Sequence, residues 1–221
     1  MPKRPPQPVM RVVLNRELIV HTAVGLIERE GAEALSMRAV AGELGVTAMA
    51  MYNHVPNKEA LVRGVAEYVM GTLELPAEKP GDWRAGARDL IWAFRRTADE
   101  YPRSLALAVA SKTGIPVGLR AIERALDLCA AAGLDGVTSV RVMRALMAYA
   151  FGSQLREAGL SKFLREQPGG LADGLRELDA TGFPHVAAVP DELAEHGSDA
   201  DFEFGLELFL SAIEVLGRRA D

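Results

Sequence analysis

LSMRAVAGELGVTAMAMYNHVPNK, residues Leu35 to Lys58, spells two short helices joined by a tight turn. Ser36 is a good N-cap, because its hydroxyl takes up a free N–H of the first helical turn. Met37, Val40, Ala41 and Leu44 follow at i, i+3, i+4 and i+7, so they share one helix face. Gly45 stands where a helix end calls for a left-handed residue, a conformation glycine adopts without steric cost. Thr47 can cap the next helix, whose inner side carries Met51 and Val55 one turn apart. A helix, a glycine-containing turn and a second helix form a unit that can lay its second helix in a DNA major groove. On spacing alone, other helical hairpins read the same way.

Working outward, Asn15 to Glu30 reads as a first helix with Leu18, Ile19, Ala23, Leu26 and Ile27 along its inner stripe. The hairpin needs that cover, since two short helices cannot bury enough surface alone. Asn57 caps a fourth helix running to about Leu75, with Leu61, Val65, Tyr68 and Val69 inward and Pro76, Pro80 and Gly81 beyond it. This helix reads as the only covalent element leading from the hairpin into the rest of the chain. Further helices are expected over Asp82–Glu100, Arg103 to about Ser111, Pro116–Ala132 closed by Gly133, Val137–Glu157 and Asp199–Arg218. Residues 165 to 198, rich in Gly, Pro, Asp and Glu, read as a mobile connection with one short helix at Leu171–Leu178. No strand is expected, so the fold class is all-α. The division is an arm at 1–12, a helix-turn-helix domain at 13–62 and a second helical domain at 63–221.

With 221 residues, 49% of them hydrophobic and 25% charged, the chain is ordinary globular material. No apolar run approaches the roughly 20 residues that span a bilayer, so no membrane partner is expected. The start, MPKRPPQPVMR, is basic but lacks the apolar stretch of a signal peptide. The one cysteine, Cys129, lies in an apolar helical pattern and reads as a buried, inert thiol. Together these features place the chain in the cytoplasm. The net charge of −5 hides an asymmetry. Residues 1–63 hold eight Lys and Arg against six Asp and Glu, and residues 64–221 hold seventeen against twenty-four. A basic head on an acidic body suits a protein that touches phosphates at one end. The arm, with Lys3, Arg4 and Arg11 among four prolines, reads either as a solvated tail or as a phosphate or minor-groove contact.

The series Leu35-Ser36-Met37-Arg38, Ala41, Leu44-Gly45-Val46, Met51-Tyr52-x-His54-Val55-x-Asn57-Lys58 and Leu61 resembles the DNA-binding domain of the tetracycline-repressor (TetR) family. The likeness spans about residues 15 to 62. Phe202-Glu203-Phe204-Gly205-Leu206-Glu207-Leu208 resembles the end of the tetracycline-repressor-type C-terminal domain, and residues 75–200 match in helical layout. The resemblance implies a homodimer that binds a palindromic double-stranded DNA operator and a small molecule. It implies DNA contacts by Arg38, Tyr52, His54 and Lys58. Thr47, at a helix start with free N–H groups, can reach a phosphate as well. The outer face of the reading helix is Ala48, Met49, Ala50 and Asn53. Asn53 can pair with adenine, and the small apolar groups can pack on thymine methyls.

The resemblance also implies a ligand pocket among the C-terminal helices. Trp92, Phe94, Tyr101, Met143, Met147, Phe151 and Gln154 are its candidate lining, with ordinary core as the plain alternative for each. Glu74 and its neighbours offer no His for the family's drug-binding role, so tetracycline itself is not the expected ligand. Two helices are apolar on two sides, and a helix apolar on two sides is buried on two sides. Val142, Leu146 and Tyr149, with Leu206, Phe209 and Ile213, are the candidate dimer face, completing a four-helix bundle about a twofold axis.

No G-x-S-x-G and no phosphate loop occurs, and no enzyme activity and no cofactor are expected. Glu192 and His196 stand four apart, but a solvated face explains them better than a metal pair, so no metal is expected. These features predict a repressor released from DNA by a small hydrophobic inducer. The alternatives are an activator or a co-repressor-dependent regulator of the same architecture. From another class, a helical enzyme or carrier with a vestigial helix-turn-helix also remains.

Overall fold

Polar caps start the N-terminal helices at the positions where short-range chemistry places them. The computed structural model describes residues 13–75, 82–111, 114–165, 171–176, 182–194 and 199–218, with the backbone alone at 114–116, 155, 157–165, 171 and 172. The arm at 1–12 and His196 lie outside these. Helix α1 (Arg16–Glu30) starts at Asn15, whose side chain accepts from Leu18 N–H. After a 3-10 turn at Ala32–Ala34, α2 (Met37–Glu43) is capped by Ser36, α3 (Ala48–Tyr52) by Thr47 and α4 (Lys58–Gly71) by Asn57. Each cap satisfies an N–H that the helix itself leaves orphaned. Then come α5 (Trp83–Glu100), α6 (Pro102–Ala110), α7 (Gly114–Ala131), α8 (Gly136–Arg165), α9 (Leu171–Arg176), α10 (Pro184–Ala187), α11 (Pro190–Ala194) and α12 (Asp199–Gly217). Every regular element among the described residues is helical.

The chain packs as two units, one within Met1–Thr72 and Arg103–Val117, the other within Leu73–Pro102 and Gly118–Asp221. This division departs from the expected boundary at 62/63, because all of α4 and also α6 pack with α1–α3. The chain therefore passes between the units after Thr72, after Pro102 and after Val117. Helix α4 is not the only covalent route, as the sequence had implied. It also ends at Gly71, short of Leu75, where Thr72 closes it by donating from its hydroxyl to Val69 C=O.

In the first unit Ile19, Ala23, Ile27, Val40, Met51, Leu61 and Val65 make the core. Helix α6 is held to α1 by a reciprocal cap. The Glu28 carboxylate accepts from the N–H groups of Arg103 (3.3 Å) and Ser104 (2.8 Å). The Arg103 guanidinium donates to the carbonyls of Glu28 (3.1 Å) and Arg29 (2.9 Å) at the end of α1. Donors orphaned at one helix start and acceptors orphaned at another helix end are thus satisfied together.

In the second unit α5 packs on α8 and α12, and α8 packs on α12. The inner stripe of α12 is Phe202, Leu206, Leu210, Ile213 and Gly217. This corrects the expected dimer face. Leu206 and Ile213, and Leu146 on α8, are buried within the single chain, and Phe209 is half-buried with its ring tilted against Tyr149. A side chain spent on its own core is not available to a partner. The exposed apolar residues of α12 are instead Phe204 (68% exposed), Leu208 (60%), Val215 (51%) and Leu216. The two stripes lie on nearly opposite faces of the helix; both are apolar, and the sequence alone does not say which one α5 and α8 cover. Helix α8 also runs beyond the expected Glu157 to Arg165. The segment read as a connection holds α10 and α11 besides α9, which is described over Leu171–Arg176, the expected end at Leu178 lying outside the described residues.

Candidate nucleic-acid interface

The turn between α2 and α3 sets the geometry of the hairpin. Gly45 has φ +65°, a left-handed conformation costly for any residue with a Cβ. Its N–H donates to Gly42 C=O (3.1 Å), and Val46 N–H donates to Ala41 C=O (3.0 Å). That pair of bonds is a Schellman ending, which turns the chain sharply out of α2 and leads it to the Thr47 cap of α3. Met51 and Val55 are then driven into the core, fully buried, as their spacing predicted. Because α3 is pinned by these two side chains, its opposite face is turned to solvent.

That outer face is where the candidate residues are found. Arg38, Thr47, Met49, Tyr52, Asn53, His54 and Lys58 are all exposed, and Ala48 and Ala50 are half-buried. Asn53 forms the C-cap of α3. The Thr47 hydroxyl accepts from Ala50 N–H (3.3 Å), which leaves its own hydrogen free to donate outward. Asn57 likewise uses its side-chain oxygen on Ala60 N–H (2.8 Å) and sets Lys58 at the first position of α4. Helix α1 steadies the arrangement from behind: Arg16 pairs with Glu67 of α4 (2.5 Å), and Arg29 with Glu43 of α2 (3.0 Å). The surface thus offers two cations, a hydroxyl, a phenol, an imidazole, an amide and a thioether around the capped starts of α3 and α4. It has the composition of a phosphate-gripping rim about a small, weakly polar reading face.

The candidate ligand residues divide. Phe94 and Phe151 meet edge to face with centroids 5.0 Å apart, joining α5 to α8. Gln154 donates from Nε2 to Asp99 (2.6 Å), and Met143, Met147 and Tyr101 are half-buried. Trp92 is elsewhere on α5, two positions from Phe94 and so nearly opposite on the helix. Its indole N–H donates to Glu203 (2.6 Å), and its ring meets Phe202 at 5.0 Å. Tyr149 stacks on Phe202 and donates its hydroxyl to Phe202 C=O (2.7 Å). Among the described residues no group of three or more His, Cys, Asp or Glu could hold a metal ion, and Glu192 is exposed on α11.

Sequence reading missed an antiparallel ladder between α5 and α12. Arg84 pairs with Glu207 (2.6 Å) and Glu214 (3.4 Å), and Arg88 with Glu203 (2.7 Å) and again with Glu207. Arg95, 3% exposed, places its guanidinium 4.3 Å over the Phe202 ring and reaches Asp199 and Ser153, each at 3.4 Å. The available signal was the i, i+4 spacing of Arg84 and Arg88 on one helix and of Glu203 and Glu207 on the other.

Residues 19–65 match the family described as bacterial regulatory proteins, tetR family. Residues 75–216 match the tetracyclin repressor-like C-terminal domain. The chain is 31% identical over 237 residues to the HTH-type transcriptional repressor DrrR1 of Streptomyces coeruleorubidus, across 97% of this chain and 81% of that one. Its structure is similar to that of apo ActR from Streptomyces coelicolor, with a TM-score of 0.78 and 28% identity over 95% of this chain and 99% of that one. It is also similar to ActR in complex with actinorhodin, with a TM-score of 0.76 and 26% identity over 93% and 99%.

Proposed function

This chain belongs to the TetR family of bacterial transcriptional regulators, and on that premise we propose that it is a homodimeric repressor released from a palindromic operator by a small, largely apolar molecule. The observation that carries the reading is the division of α3. Met51 and Val55 are spent on the core, and Met49, Tyr52, Asn53 and His54 are left exposed between the cations Arg38 and Lys58. No catalytic or architectural need explains that arrangement, whereas a helix laid in a major groove requires it.

Two exposed faces support the dimer. The Phe204, Leu208 and Val215 stripe of α12 is apolar and open, and Ala145, Ala148 and Gly152 present small exposed residues on α8. The inducer reading rests on the second unit and on the actinorhodin-bound relative. Phe94, Phe151, Met143, Met147 and Gln154 are the residues to which a ligand is assigned, and Trp92, committed to Glu203, is set aside. A signal has three covalent routes to the head: the end of α4 at Thr72, the Pro102 step into α6, which the Glu28–Arg103 cap ties to α1, and the crossing after Val117.

The test is binding to the DNA flanking the chain's own gene, followed by fluorescence anisotropy over a range of salt concentrations. Half-sites about one helical turn apart, roughly 34–36 Å, are expected. Arg38→Ala and Lys58→Ala should each weaken binding to every sequence alike and reduce the salt slope by about one. Asn53→Ala should relax sequence preference instead. Retention of parental binding and salt slope by all three variants would sink the interface.

A further inference from the structure

The sulfur atoms of the molecule are unevenly placed. Six of the eight methionines lie among the described residues, and of these Met49 alone is exposed, at 74%. Met51, two residues on, is fully buried, and Met37 is nearly so. The single thiol cannot serve as the sensor, since Cys129 is buried in α7. Burial pushes that thiol up from its ordinary value, against a smaller opposite effect of its hydrogen bond with Ser139, so it stays protonated and unreactive. Among the described residues the most accessible reduced sulfur is therefore a thioether on the outer face of α3, flanked by Ala48 and Ala50.

We propose that Met49 is an oxidation site through which peroxide releases this protein from DNA. The inference rests on the DNA-reading role assigned to α3. A sulfur lone pair of Met49 attacks one oxygen of hydrogen peroxide. The S–O bond forms, the O–O bond breaks, and the departing hydroxide leaves as water after proton transfer. Sulfur loses two electrons and the peroxide gains them. The product sulfoxide is polar and chiral, with an oxygen that accepts hydrogen bonds and offers no donor. Met49 as a thioether suits the methyl-rich parts of a major groove; as a sulfoxide it must give up bound water to enter the same place. Both heads of a dimer carry the lesion, so the two losses act on one operator. The change is reversible, because sulfoxides are reduced enzymatically.

The experiment treats the purified full chain with hydrogen peroxide. It follows each methionine by the mass shift of its peptide and measures operator binding before and after. Met49 should convert well ahead of Met37 and Met51, and affinity should fall by at least roughly tenfold as it does. A methionine sulfoxide reductase with a thiol donor should restore it. In Met49→Leu, whatever its starting affinity, the ratio of treated to untreated affinity should stay near one. Conversion of Met51 before Met49, full binding with Met49 fully converted, or an equal loss in Met49→Leu would each overturn the inference. An untreated parent that binds no operator would instead overturn the DNA-binding reading, a result the peroxide arm does not produce.

Discussion

The two units are held together by different kinds of information. In the first, short-range chemistry does most of the specifying. Asn15, Ser36, Thr47 and Asn57 each bond an N–H three residues ahead, and Gly45 supplies the one left-handed residue that the hairpin turn requires. In the second, the specifying contacts join residues more than a hundred positions apart, as in Arg84 with Glu207 and Arg88 with Glu203. Caps are legible within a window of four residues. A ladder between α5 and α12 is legible only once the two helices are known to lie antiparallel. Local rules therefore locate the surface proposed to face DNA, and they say much less about which helix faces in the body are closed.

The sharpest break of that comparison uses two neighbouring residues of α12. Leu206 is fully buried and Leu208 is 60% exposed. Leu206→Glu should cost about 3–5 kcal/mol, since it removes an apolar side chain and leaves a buried charge without a partner. Leu208→Glu should leave the monomer within about 0.5 kcal/mol of the parent and abolish self-association. Urea unfolding and light scattering on both variants separate the outcomes. If Leu208→Glu unfolds the chain while Leu206→Glu yields a stable monomer, the assignment of the two stripes is reversed.

A second break concerns Gly205. A Cβ added there meets the Tyr149 ring, whose hydroxyl is held by Phe202 C=O. Gly205→Ala should destabilise by about 1–3 kcal/mol through overpacking, and adding Tyr149→Leu should recover part of it. Thermal midpoints of the two singles and the double give the coupling. Additive losses would mean that the close approach of α12 to Tyr149 does not constrain the helix.

The same contrast explains what the sequence disclosed. The caps, the Schellman turn, the buried pair Met51 and Val55 and the exposed series from Arg38 to Lys58 follow from spacing and propensity, and the resemblance assigned their roles. The closed stripe of α12 did not follow, because Leu206 with Ile213 and Leu208 with Val215 are equally apolar and only α5 and α8 choose between them. Trp92 and Phe94 were grouped by residue type although a helix sends i and i+2 to nearly opposite sides. Helix α6 looked like part of the body by position, and its place with α1 depends on Glu28 meeting Arg103 across 75 residues. Each miss is a long-range choice between locally equivalent surfaces.

Smaller effects should separate cap from ladder. Asn57→Ala removes the side-chain acceptor for Ala60 N–H and should cost about 1 kcal/mol, nearly the same in low and high salt. Arg84→Ala removes pairs with Glu207 and Glu214 whose side chains are about a third or more exposed. It should cost less than about 1 kcal/mol, with most of that loss disappearing by about 1 M salt. Denaturation midpoints of both variants at two ionic strengths decide the matter. A salt-insensitive loss at Arg84 would mean that its aliphatic stem, rather than its charge, holds α5 to α12.

The smallest expected effect is the pH response of Glu203. Partial burial alone would raise its carboxyl. The hydrogen bonds from Trp92 and Arg88, with the Arg88 charge, outweigh that and hold it below the usual range. A carboxyl depressed in the folded state binds fewer protons there than in the unfolded chain. Its contribution is therefore present above the unfolded pKa of about 4.3 and is lost as pH falls through the lower, folded value. The side chain is 35% exposed, so solvent screening keeps the stabilisation well below about 1 kcal/mol, too little to read from unfolding alone. Trp92 reports it directly, because its indole N–H is bonded to this carboxylate. In a Trp83→Phe background, Trp92 emission should hold steady from neutral pH down to about 4.3 and change only below that, as protonation weakens the acceptor. Glu203→Gln keeps an acceptor for the indole but cannot titrate, so its emission should stay flat across the same range. An identical acid transition in the two proteins would show that the body responds to pH through other carboxylates, and that the upper rung of the ladder carries no charge-dependent hold on α12.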